Sequence, residues 1–471
     1  MGEGNPRQVQ WWIREYDHNM NDLLLSYYGD DFTGSTDVME SMTFSGLRTV
    51  LFLEPPTADQ VSDLGDVRGV GVAGRTRSMR PEEAQAELRP VFEAFRELDA
   101  PLVHYKTCST FDSSPEIGSV GRAIDVGWDV HQPSYVPLVL GAPILRRYCA
   151  FGNLFASSGL DREIFRLDRH PTMSRHPTTP MDEADVRLHL GRQTDRAIGL
   201  VDLMQLHDAA ARIDSLKAEG CEVVLFDTVS ESDLPLVGQA IWDGRTEGRF
   251  LAGSSGAEYA LVAHWRSVGE LDEVDVPSAD PVEQVAGASG SCSPVTAGQL
   301  DWAEEKGFRL VSVQSDKLVD EDAQGEIDNT VTRMVEAISQ GASVIAHTGR
   351  GPDDPRIATV LRALSEQGLS GNEARAVTAE RIGSALGQIL GRVVEETGLK
   401  RVATTGGDTS YYVAKEMGVS ALEAVAPMAP GSPLCRVISP GSAVDGCEVT
   451  FKGGQVGRVD FFGDVVGSFP G

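Results

Sequence analysis

Short apolar runs alternate with helical patterns along most of this sequence, and this alternation constrains the fold more than any other feature. Each run indicates a buried strand, because it is too short for a helix and is bounded by polar or small residues. The runs lie at 23–25, 48–53, 69–73, 101–105, 135–140, 197–201, 221–226, 284–288, 308–313, 343–347 and 400–404. Strands that alternate with helices predict a mainly parallel sheet that helices cover on both faces.

Helical patterns fill several of the intervals between these runs. The predicted helices lie at 35–45, 81–98, 295–305, 329–340 and 380–397. In the second of them Pro81 suits the first turn, whereas Pro90 predicts a kink or a break, because proline removes one helical hydrogen bond.

The chain has 471 residues, too many for one ordinary hydrophobic core, so two or three domains are expected. The acidic, proline-bearing stretch at 268–283 is the best candidate for a linker. The predicted division is an N-terminal extension at 1–21, a first domain at 22–270, a linker at 271–283 and a second domain at 284–471. The predicted fold class is α/β, with two α/β domains, mainly parallel sheets and an interdomain active-site cleft.

Composition limits the partners and the compartment. A formal net charge of −29 argues against nucleic-acid binding, which needs a basic stripe. An anionic ligand must therefore be met by lysines and arginines clustered at its site. The six cysteines have no CxxC or CxxH spacing, which argues against a zinc site or a disulfide framework. With no apolar signal segment and no membrane-spanning run, we expect a cytoplasmic protein with reduced thiols and no membrane partner.

The stretch at 27–37, with the sequence YYGDDFTGSTD, follows the first apolar run and leads into the first predicted helix. Open α/β sheets bind their ligands at such strand ends. Asp30 and Asp31 can accept hydrogen bonds from substrate hydroxyls, and one of them can act as a general base. Backbone amides at the helix start can hold an anionic group. The alternative interpretation is an ordinary helix cap with spare acidic residues.

Two arginines stand in the loop GRTRS at 74–78, directly after a predicted strand. In an acidic protein, Arg75 and Arg77 suit bidentate recognition of a carboxylate or a phosphate. Surface solubility is the alternative explanation for an isolated pair.

The next strand is followed by the loop KTCSTFDSS at 106–114, which combines a lysine, several hydroxyls and an aspartate. These side chains form a polar cluster, again at the end of a strand. Cys108 as a catalytic nucleophile is a competing hypothesis, weakened by the lack of a paired histidine in the sequence. His176 lies in a proline-rich loop, where a packing role is more common than a catalytic one.

Three turns rich in glycine and hydroxyl residues follow strands or precede helices in the second half, at 289–296, 404–410 and 451–457. Small residues let backbone amides approach phosphates, and a helix start adds its dipole. Each turn alone is a weak signal, since no Walker A loop and no GxGxxG motif is present. Three in one domain favour a nucleotide site. Asp408 can hold Mg²⁺ directly or through water, or can serve only as a helix cap.

In this order, these motifs resemble those of the four-carbon acid sugar kinase family, whose members phosphorylate compounds such as D-threonate, D-erythronate and 3-oxo-tetronate. The resemblance covers nearly the whole chain from about residue 22. In the first half it rests on the DDxTG-type turn at 30–34, the RS pair at 77–78, the KxCSTFDS loop at 106–113, the GNIG-like element at 118–121, the GHLF-type element at 152–155 and the HPxTPM element at 176–181. In the second half it rests on GSCS at 290–293, GGDT at 406–409 and a KSGNFG element that reads KGGQVG at 452–457.

The resemblance implies an acid-sugar-binding first domain, an ATP-binding second domain, and transfer of the γ-phosphoryl group of ATP to a terminal hydroxyl. Asp30 and Asp31 would orient and deprotonate that hydroxyl, and either could be the base. The implied acid-binding residues are Arg75, Arg77, Lys106, Ser109, Thr110, Asp112 and His176. The implied ATP-binding residues are Ser291, Ser293, Gly406, Gly407, Asp408, Thr409, Lys452, Gly453 and Gly454. ATP and Mg²⁺ are the expected cofactors, and the metal ligands are not assigned.

Departures from the family pattern leave the substrate open. Asn153 replaces a histidine, residues 114–117 read as an insertion, and the His-Pro pair at 170–171 recurs at 176–177. These changes could mark a branched acid such as 3-oxo-isoapionate. Two other function classes compete: an oxidoreductase, disfavoured by the missing GxGxxG motif, and a non-catalytic sugar-acid or nucleotide-binding protein. A homodimer is one assembly that the sequence leaves open.

Overall fold

The computed structural model describes residues 23–158, 163–176, 178–320 and 323–467. The predicted N-terminal extension at 1–21 and Pro177 of the HPxTPM element lie outside these described residues.

The first half of the chain alternates strands and helices, with three consecutive strands inserted in the middle. Its strands are β1 (Leu25–Gly29), β2 (Thr49–Phe52), β3 (Gly69–Ala73), β4 (Leu102–Lys106), β5 (Val136–Val139), β6 (Arg147–Ala150), β7 (Asn153–Ser158), β8 (Glu163–Arg166), β9 (Ile198–Val201), β10 (Val223–Phe226) and β11 (Phe250–Gly253). Its helices are α1 (Phe32–Thr43), α2 (Ala58–Asp63), α3 (Pro81–Leu98), α4 (Val120–His131), α5 (Val186–Leu190), α6 (Ala209–Ala218), α7 (Leu234–Asp243) and α8 (Gly256–Ser267).

The second half repeats the alternation and then adds an antiparallel hairpin. Its strands are β12 (Ala286–Ser289), β13 (Arg309–Ser312), β14 (Val344–His347), β15 (Arg401–Thr405), β16 (Ala421–Ala429), β17 (Ser432–Ile438) and β18 (Glu448–Lys452). Its helices are α9 (Pro294–Glu305), α10 (Ser315–Leu318), α11 (Ala323–Ser339), α12 (Pro355–Glu366), α13 (Gly371–Thr397), α14 (Gly407–Glu416) and α15 (Phe461–Val466).

Every apolar run singled out in the sequence overlaps a strand, and every predicted helix is present. The first strand differs in its bounds, because β1 continues to Gly29 and so includes two tyrosines that the sequence placed in the turn. The predicted break at Pro90 is wrong, since α3 runs unbroken through it. Pro90 lies on the exposed face of α3, where helices can curve and lengthen their hydrogen bonds.

The main sheet has fifteen strands within the described residues, in the order β13-β14-β12-β15-β18-β17-β16-β2-β3-β1-β4-β11-β5-β10-β9. Most neighbouring pairs are parallel, as predicted. The strands of the two halves form one continuous sheet, because β16 pairs with β2 in antiparallel fashion. A second sheet, β6-β7-β8, is antiparallel and stands apart from the main one.

Helices on both faces bury most strands of the main sheet, and this explains why the strands read as continuous apolar runs. The segment at 268–285, which contains the predicted linker, has no helix or strand and is largely exposed. In the described part of the chain, no helix is long and apolar enough to cross a membrane.

Candidate active site

Three polar loops of the first half meet at one edge of the sheet. Strand β1 lies between β3 and β4, all three are parallel, and Gly29 is in register with both Ala73 and Lys106. Because parallel strands end at the same edge, the DDFTG turn, the GRTRS loop and the KTCSTFDSS loop are neighbours.

Arg77 is the centre of this cluster and binds both aspartates. Its Nε and Nη2 atoms donate to the two carboxylate oxygens of Asp30 at 3.1 and 2.7 Å. Its Nη1 and Nη2 atoms donate to the two oxygens of Asp31, both at 2.9 Å. The backbone N–H of Arg77 also donates to the carbonyl of Asp30 at 3.0 Å. The guanidinium therefore fixes the two carboxylates side by side.

The two aspartates have different environments. The Asp30 side chain is 3% exposed and also accepts from Thr107 Oγ1 at 3.2 Å, whereas the Asp31 side chain is 26% exposed. Burial raises the pKa of Asp30 despite the charge of Arg77. For Asp31, burial is outweighed by Arg77 and Lys106, so its pKa lies below the usual value. Asp31 is thus the ionised, accessible carboxylate of the pair.

Asp31 is also the N-cap of α1. Its Oδ1 atom accepts from Gly34 N at 2.8 Å, and its Oδ2 atom accepts from Thr33 Oγ1 at 2.8 Å. The capping role that the sequence offered as the alternative is therefore present, and it holds the carboxylate in one orientation.

Lys106, at the end of β4, is the nearest ammonium group to this pair. The residue is 4% exposed, and its Nζ atom lies 2.5 Å from the point where a Cβ on Gly34 would stand. Among the described residues, the ammonium donates no hydrogen bond and has no carboxylate within 4.0 Å. An unpaired cation beside a helix N-terminus suits an anionic ligand group.

The rest of this loop is held by its own side chains. Thr110 Oγ1 donates to Asp112 at 2.8 Å and lies 3.0 Å from Cys108 Sγ, and Ser109 is half-buried. Burial and the nearby Asp112 raise the pKa of the Cys108 thiol. A protonated thiol is a poor nucleophile.

Two predicted acid-binding residues make their described contacts with groups other than the aspartate pair. The His176 ring accepts from the backbone and hydroxyl of Thr179 at 3.1 and 2.9 Å, and its described hydrogen bonds stay within this loop. The Arg75 side chain points toward Glu87 and the tyrosines of α14. Their assignment to the acid stays a prediction.

In the second half, the three glycine-rich turns lie side by side. The strands before them, β12, β15 and β18, are adjacent and parallel. Gly290 N donates to Thr405 O at 2.9 Å, and Gly406 N donates to Lys452 O at 2.8 Å. The carbonyl of Gly454 accepts from the Ser293 hydroxyl and, at 2.9 Å, from Thr296 Oγ1.

Two of these glycines have no room for a side chain. A Cβ on Gly454 would lie 2.5 Å from Ser291 Oγ. Gly406 has φ 138°, and a Cβ there would lie 2.6 Å from Thr409 Oγ1. The backbones of the three turns can therefore approach one another, and a ligand, closely.

Lys452, at the end of β18, is fully buried beneath the third glycine-rich turn. Its Nζ atom donates to the carbonyls of Gly453 and Val456 at 2.8 and 3.1 Å. Burial lowers its pKa to about 8. The lysine therefore holds the KGGQVG turn in shape from inside.

The two clusters are joined by contacts between the halves of the chain. Phe32 directly follows Asp31, and Phe451 directly precedes Lys452. The two rings make an edge-to-face contact, with their centroids 4.8 Å apart. The hairpin between β16 and β17 reaches α1, where Thr36 Oγ1 donates to Gly431 O at 3.0 Å. The aspartate pair and the glycine-rich turns thus face a common region.

Comparison with known proteins identifies the family to which the chain belongs. Two family profiles match, a sugar-binding N-terminal domain over residues 25–261 and a nucleotide-binding C-terminal domain over residues 286–462. The chain is 46% identical over 447 residues to a 3-oxo-isoapionate kinase of Paraburkholderia graminis, covering 94% of each chain. The chain belongs to the four-carbon acid sugar kinase family. The resemblance seen in the sequence motifs is confirmed.

A second relative in the family is a 3-oxo-tetronate kinase of Methylobacterium radiotolerans. The identity is 31% over 450 residues, covering 94% of this chain and 98% of the relative. A crystal structure of a Haemophilus influenzae protein of the DUF1537 family superimposes with a TM-score of 0.70 at 21% identity, covering 94% and 100% of the two chains. That likeness shows a shared fold.

Sequence reasoning missed neighbours of the aspartate cluster. Strand β11 and the loop GSSG at 253–256, which starts α8, lie beside the end of β4, and Thr107 N donates to Gly253 O at 2.7 Å. The sequence did carry a signal for β11. Residues 250–253 form a short apolar run that small residues follow, which is the pattern also found at 286–293. Burial raises the pKa of Asp37, against the opposing charge of Lys106, so this carboxyl also belongs to the cluster.

The described residues contain no group of three or more histidine, cysteine, aspartate or glutamate side chains that could hold a metal ion. Asp408 is an exposed carboxylate in the first turn of α14. A single carboxylate such as that of Asp408 fits Mg²⁺, because Mg²⁺ usually takes one or two carboxylates together with substrate phosphates and water.

Cys108→Ser is expected to keep kcat within about threefold of the native value, since serine preserves the contact with Thr110 and a protonated thiol contributes no nucleophile. The measurement is steady-state ADP release at saturating acid and Mg-ATP. A loss of about a hundredfold or more would revive the nucleophile hypothesis.

Gly406→Ala is expected to weaken ATP binding about 5- to 100-fold, because alanine at φ 138° forces the turn to move. Calorimetric titration with a non-hydrolysable ATP analogue measures the effect. Gly298→Ala is the matched control, because a Cβ at Gly298 meets open space within α9. Equal affinities in the two variants would remove the Gly406 turn from the nucleotide site.

Proposed function

We infer that this chain is an ATP-dependent kinase that phosphorylates a hydroxyl of a small sugar acid. The observation that carries the inference is the Phe32–Phe451 contact, which joins the turn of the ionised Asp31 to the third glycine-rich turn. Family membership supports both halves of the assignment.

We propose that residues 22–270 bind the acid and residues 284–471 bind the nucleotide, with 271–283 as the linker. The descriptions of the two matching family profiles support this division. The exposed segment without helix or strand between α8 and β12 supports the position of the linker.

Asp31 is the proposed general base. Its carboxylate is more exposed than that of Asp30, its pKa is lowered, and Arg77 fixes its orientation. It takes the proton of a terminal substrate hydroxyl as the oxygen–phosphorus bond to the γ-phosphoryl group forms and ADP leaves. Asp30, buried beneath it, anchors Arg77.

The acid itself would be held by the groups around this base. Lys106 supplies an unpaired positive charge for the carboxylate, and Ser109, Thr110 and Asp112 offer hydroxyl and carboxylate partners for the remaining oxygens. The family resemblance also implies Arg75, Arg77 and His176 for the acid. Of these, Arg77 already makes four hydrogen bonds to the aspartates, and the Arg75 guanidinium lies over Tyr411 of α14 instead.

The triphosphate would lie over the three turns. Ser291, Ser293, Gly406, Gly407 and Thr409 present backbone amides and hydroxyls there, and Gly453, Gly454 and Lys452 form and support the third turn. Mg²⁺, when bound, neutralises phosphate charge, and Asp408 is the carboxylate placed to meet it.

We propose 3-oxo-isoapionate as the substrate. The support is the 46% identity to the Paraburkholderia graminis 3-oxo-isoapionate kinase, against 31% to the Methylobacterium radiotolerans 3-oxo-tetronate kinase. A cytoplasmic location, in keeping with six free thiols, and a homodimer, which light scattering tests, stay predictions.

A coupled ADP-release assay with Mg-ATP tests this function. The panel contains D- and L-threonate, D-erythronate, their 3-oxo forms and branched oxo-apionates including 3-oxo-isoapionate. Turnover with 3-oxo-isoapionate at the highest kcat/KM is expected. A preference for a linear acid would overturn the substrate, and silence without calorimetric ATP binding would overturn the kinase.

A further inference from the structure

Arg75 and Arg77 stand in one loop but face different halves of the molecule. Arg77 binds the aspartate pair of the first half. The Arg75 guanidinium instead lies over the ring of Tyr411, 5.4 Å from its centroid. Against the effect of burial, the neighbouring Tyr412 and Glu87 raise the pKa of Arg75. Glu87, at 3.9 Å, is its carboxylate partner on the other side.

The two tyrosines belong to the helix that carries the nucleotide turn. Helix α14 begins at Gly407, directly after the Gly406 turn, and reaches Tyr411 one turn later. The helix is packed closely at its start, because a Cβ on Gly383 of α13 would lie 2.7 Å from Tyr412 Cβ. A displacement of the Gly406 turn therefore moves Tyr411 and Tyr412 as well, because a short packed helix moves as a unit.

The loop that carries the two arginines is anchored to strands β1 and β4. Gly74 has no room for a side chain, since a Cβ there would lie 2.3 Å from Gly29 O. The Arg75 N–H donates to the Tyr28 hydroxyl at 3.3 Å, and Thr76 Oγ1 lies 3.1 Å from the Tyr105 hydroxyl. Only Thr76 separates Arg75, which contacts α14, from Arg77, whose guanidinium orients Asp31.

We propose that Arg75 is a positioning residue that couples nucleotide occupancy to the aspartate pair. Nucleotide bound at the start of α14 packs Tyr411 and Tyr412 against Arg75. The loop then holds Arg77 and Asp31 in the orientation that binds the acid. ATP therefore raises the affinity for the acid, and the acid raises the affinity for ATP by the same factor. This inference rests on the proposed kinase function.

The competing assignment is that Arg75 clamps the acid directly. The two assignments predict different binding results. A clamp residue loses acid affinity on substitution whether or not nucleotide is present. A coupling residue leaves each ligand's affinity alone nearly unchanged and removes the difference that the second ligand makes.

The experiment is calorimetric titration of the full chain with 3-oxo-isoapionate, with and without a saturating non-hydrolysable ATP analogue and Mg²⁺. The native chain is expected to bind the acid about 5- to 150-fold more tightly with the analogue present. In Arg75→Ala this ratio is expected to fall to about 2 or less, while the Kd of either ligand alone stays within about threefold.

Variants of the partner tyrosine provide the matched control. Tyr411→Phe keeps the aromatic face and is expected to keep the native ratio, whereas Tyr411→Leu removes the face and is expected to lower it. A native ratio near 1, or an unchanged ratio in Arg75→Ala, overturns the coupling role. Loss of acid affinity in Arg75→Ala without nucleotide establishes the clamp instead. Failure of the native chain to bind either ligand overturns the proposed function itself, a result that is distinct from the other outcomes.

Discussion

Asp31→Asn is expected to lower kcat about 10²- to 10⁴-fold while ATP affinity stays within about threefold of the native value. Asparagine has the same shape and is itself a good helix cap, so α1 keeps its start. The carboxamide cannot take the proton of the substrate hydroxyl. ADP release measures the first effect, and calorimetry with a non-hydrolysable ATP analogue measures the second.

Asp30→Asn is the matched control for this prediction. Asp30 is 3% exposed and anchors Arg77. Asp30→Asn is therefore expected to lower the melting temperature more than Asp31→Asn does, and to lower kcat less than Asp31→Asn does. If Asp30→Asn gives the larger loss of kcat at full occupancy of both ligands, the base is Asp30.

The pH profile provides an independent check on the same assignment. Burial opposes ionisation of Asp31, but Arg77 and Lys106 hold its pKa below the usual value. The base therefore stays ionised as pH falls through the range where ordinary aspartates become protonated. We expect native kcat/KM to show little loss due to this group down to about pH 4, where an ordinary aspartate with a pKa of about 3.9 is already nearly half protonated.

The sequence predicted most of the strands that hold the site, because a strand buried on both faces produces an apolar run that is visible without the structure. Strands β11 and β18 were missed. Runs such as 69–73 and 400–404 are bounded by glycine, lysine or hydroxyl residues, and these marked the strand ends that carry loops. The order of β12, β15 and β18 and the existence of β18 were not predicted, so the neighbouring positions of the Gly290, Gly406 and Gly454 turns are a finding of the structure.

The sequence did not predict how the halves join. Strands β16 and β17 include polar and proline residues within partly exposed stretches, so their periodicity is weak. The pairing of β16 with β2 joins distant parts of the chain, since the hydrogen-bonded Arg48 and Glu423 are 375 residues apart. Long-range pairing of this kind has no local signal in the sequence.

The directions of side chains were also outside the reach of the sequence. Arg75 and Arg77 are two residues apart and chemically identical, so composition alone gave them one role. The short 3₁₀ turn at Thr76–Ser78 sends one toward the aspartates and the other toward α14.

Arg77→Ala is expected to destabilise the fold by about 3–5 kcal/mol at neutral pH, because it leaves Asp30 buried without the partner of its charge. The KM of the acid is expected to rise far more than that of ATP, since Asp31 loses the group that orients it. Chemical denaturation measures the first effect, and steady-state kinetics measure the second.

The stability loss has a predicted pH dependence that separates it from simple loss of packing. Burial already raises the pKa of Asp30, and Arg77 is the main group that opposes the shift. Without Arg77 this pKa rises further above the value of about 3.9 in the unfolded chain. A carboxyl with a raised folded pKa loses stability as pH rises between the unfolded and the folded value. The difference between native and Arg77→Ala chains is therefore expected to be small near pH 4 and to grow toward pH 7.

Two further variants decide whether the buried charge is the cause. Arg77→Lys keeps a positive charge but cannot make four fixed hydrogen bonds, so an intermediate loss of stability is expected. Arg89→Ala removes an exposed partner of Asp129 and is expected to cost no more than about 1 kcal/mol. If the loss in Arg77→Ala is the same at pH 4 and pH 7, the unpaired Asp30 charge is not its source, and the role of Arg77 is reduced to packing of the loop.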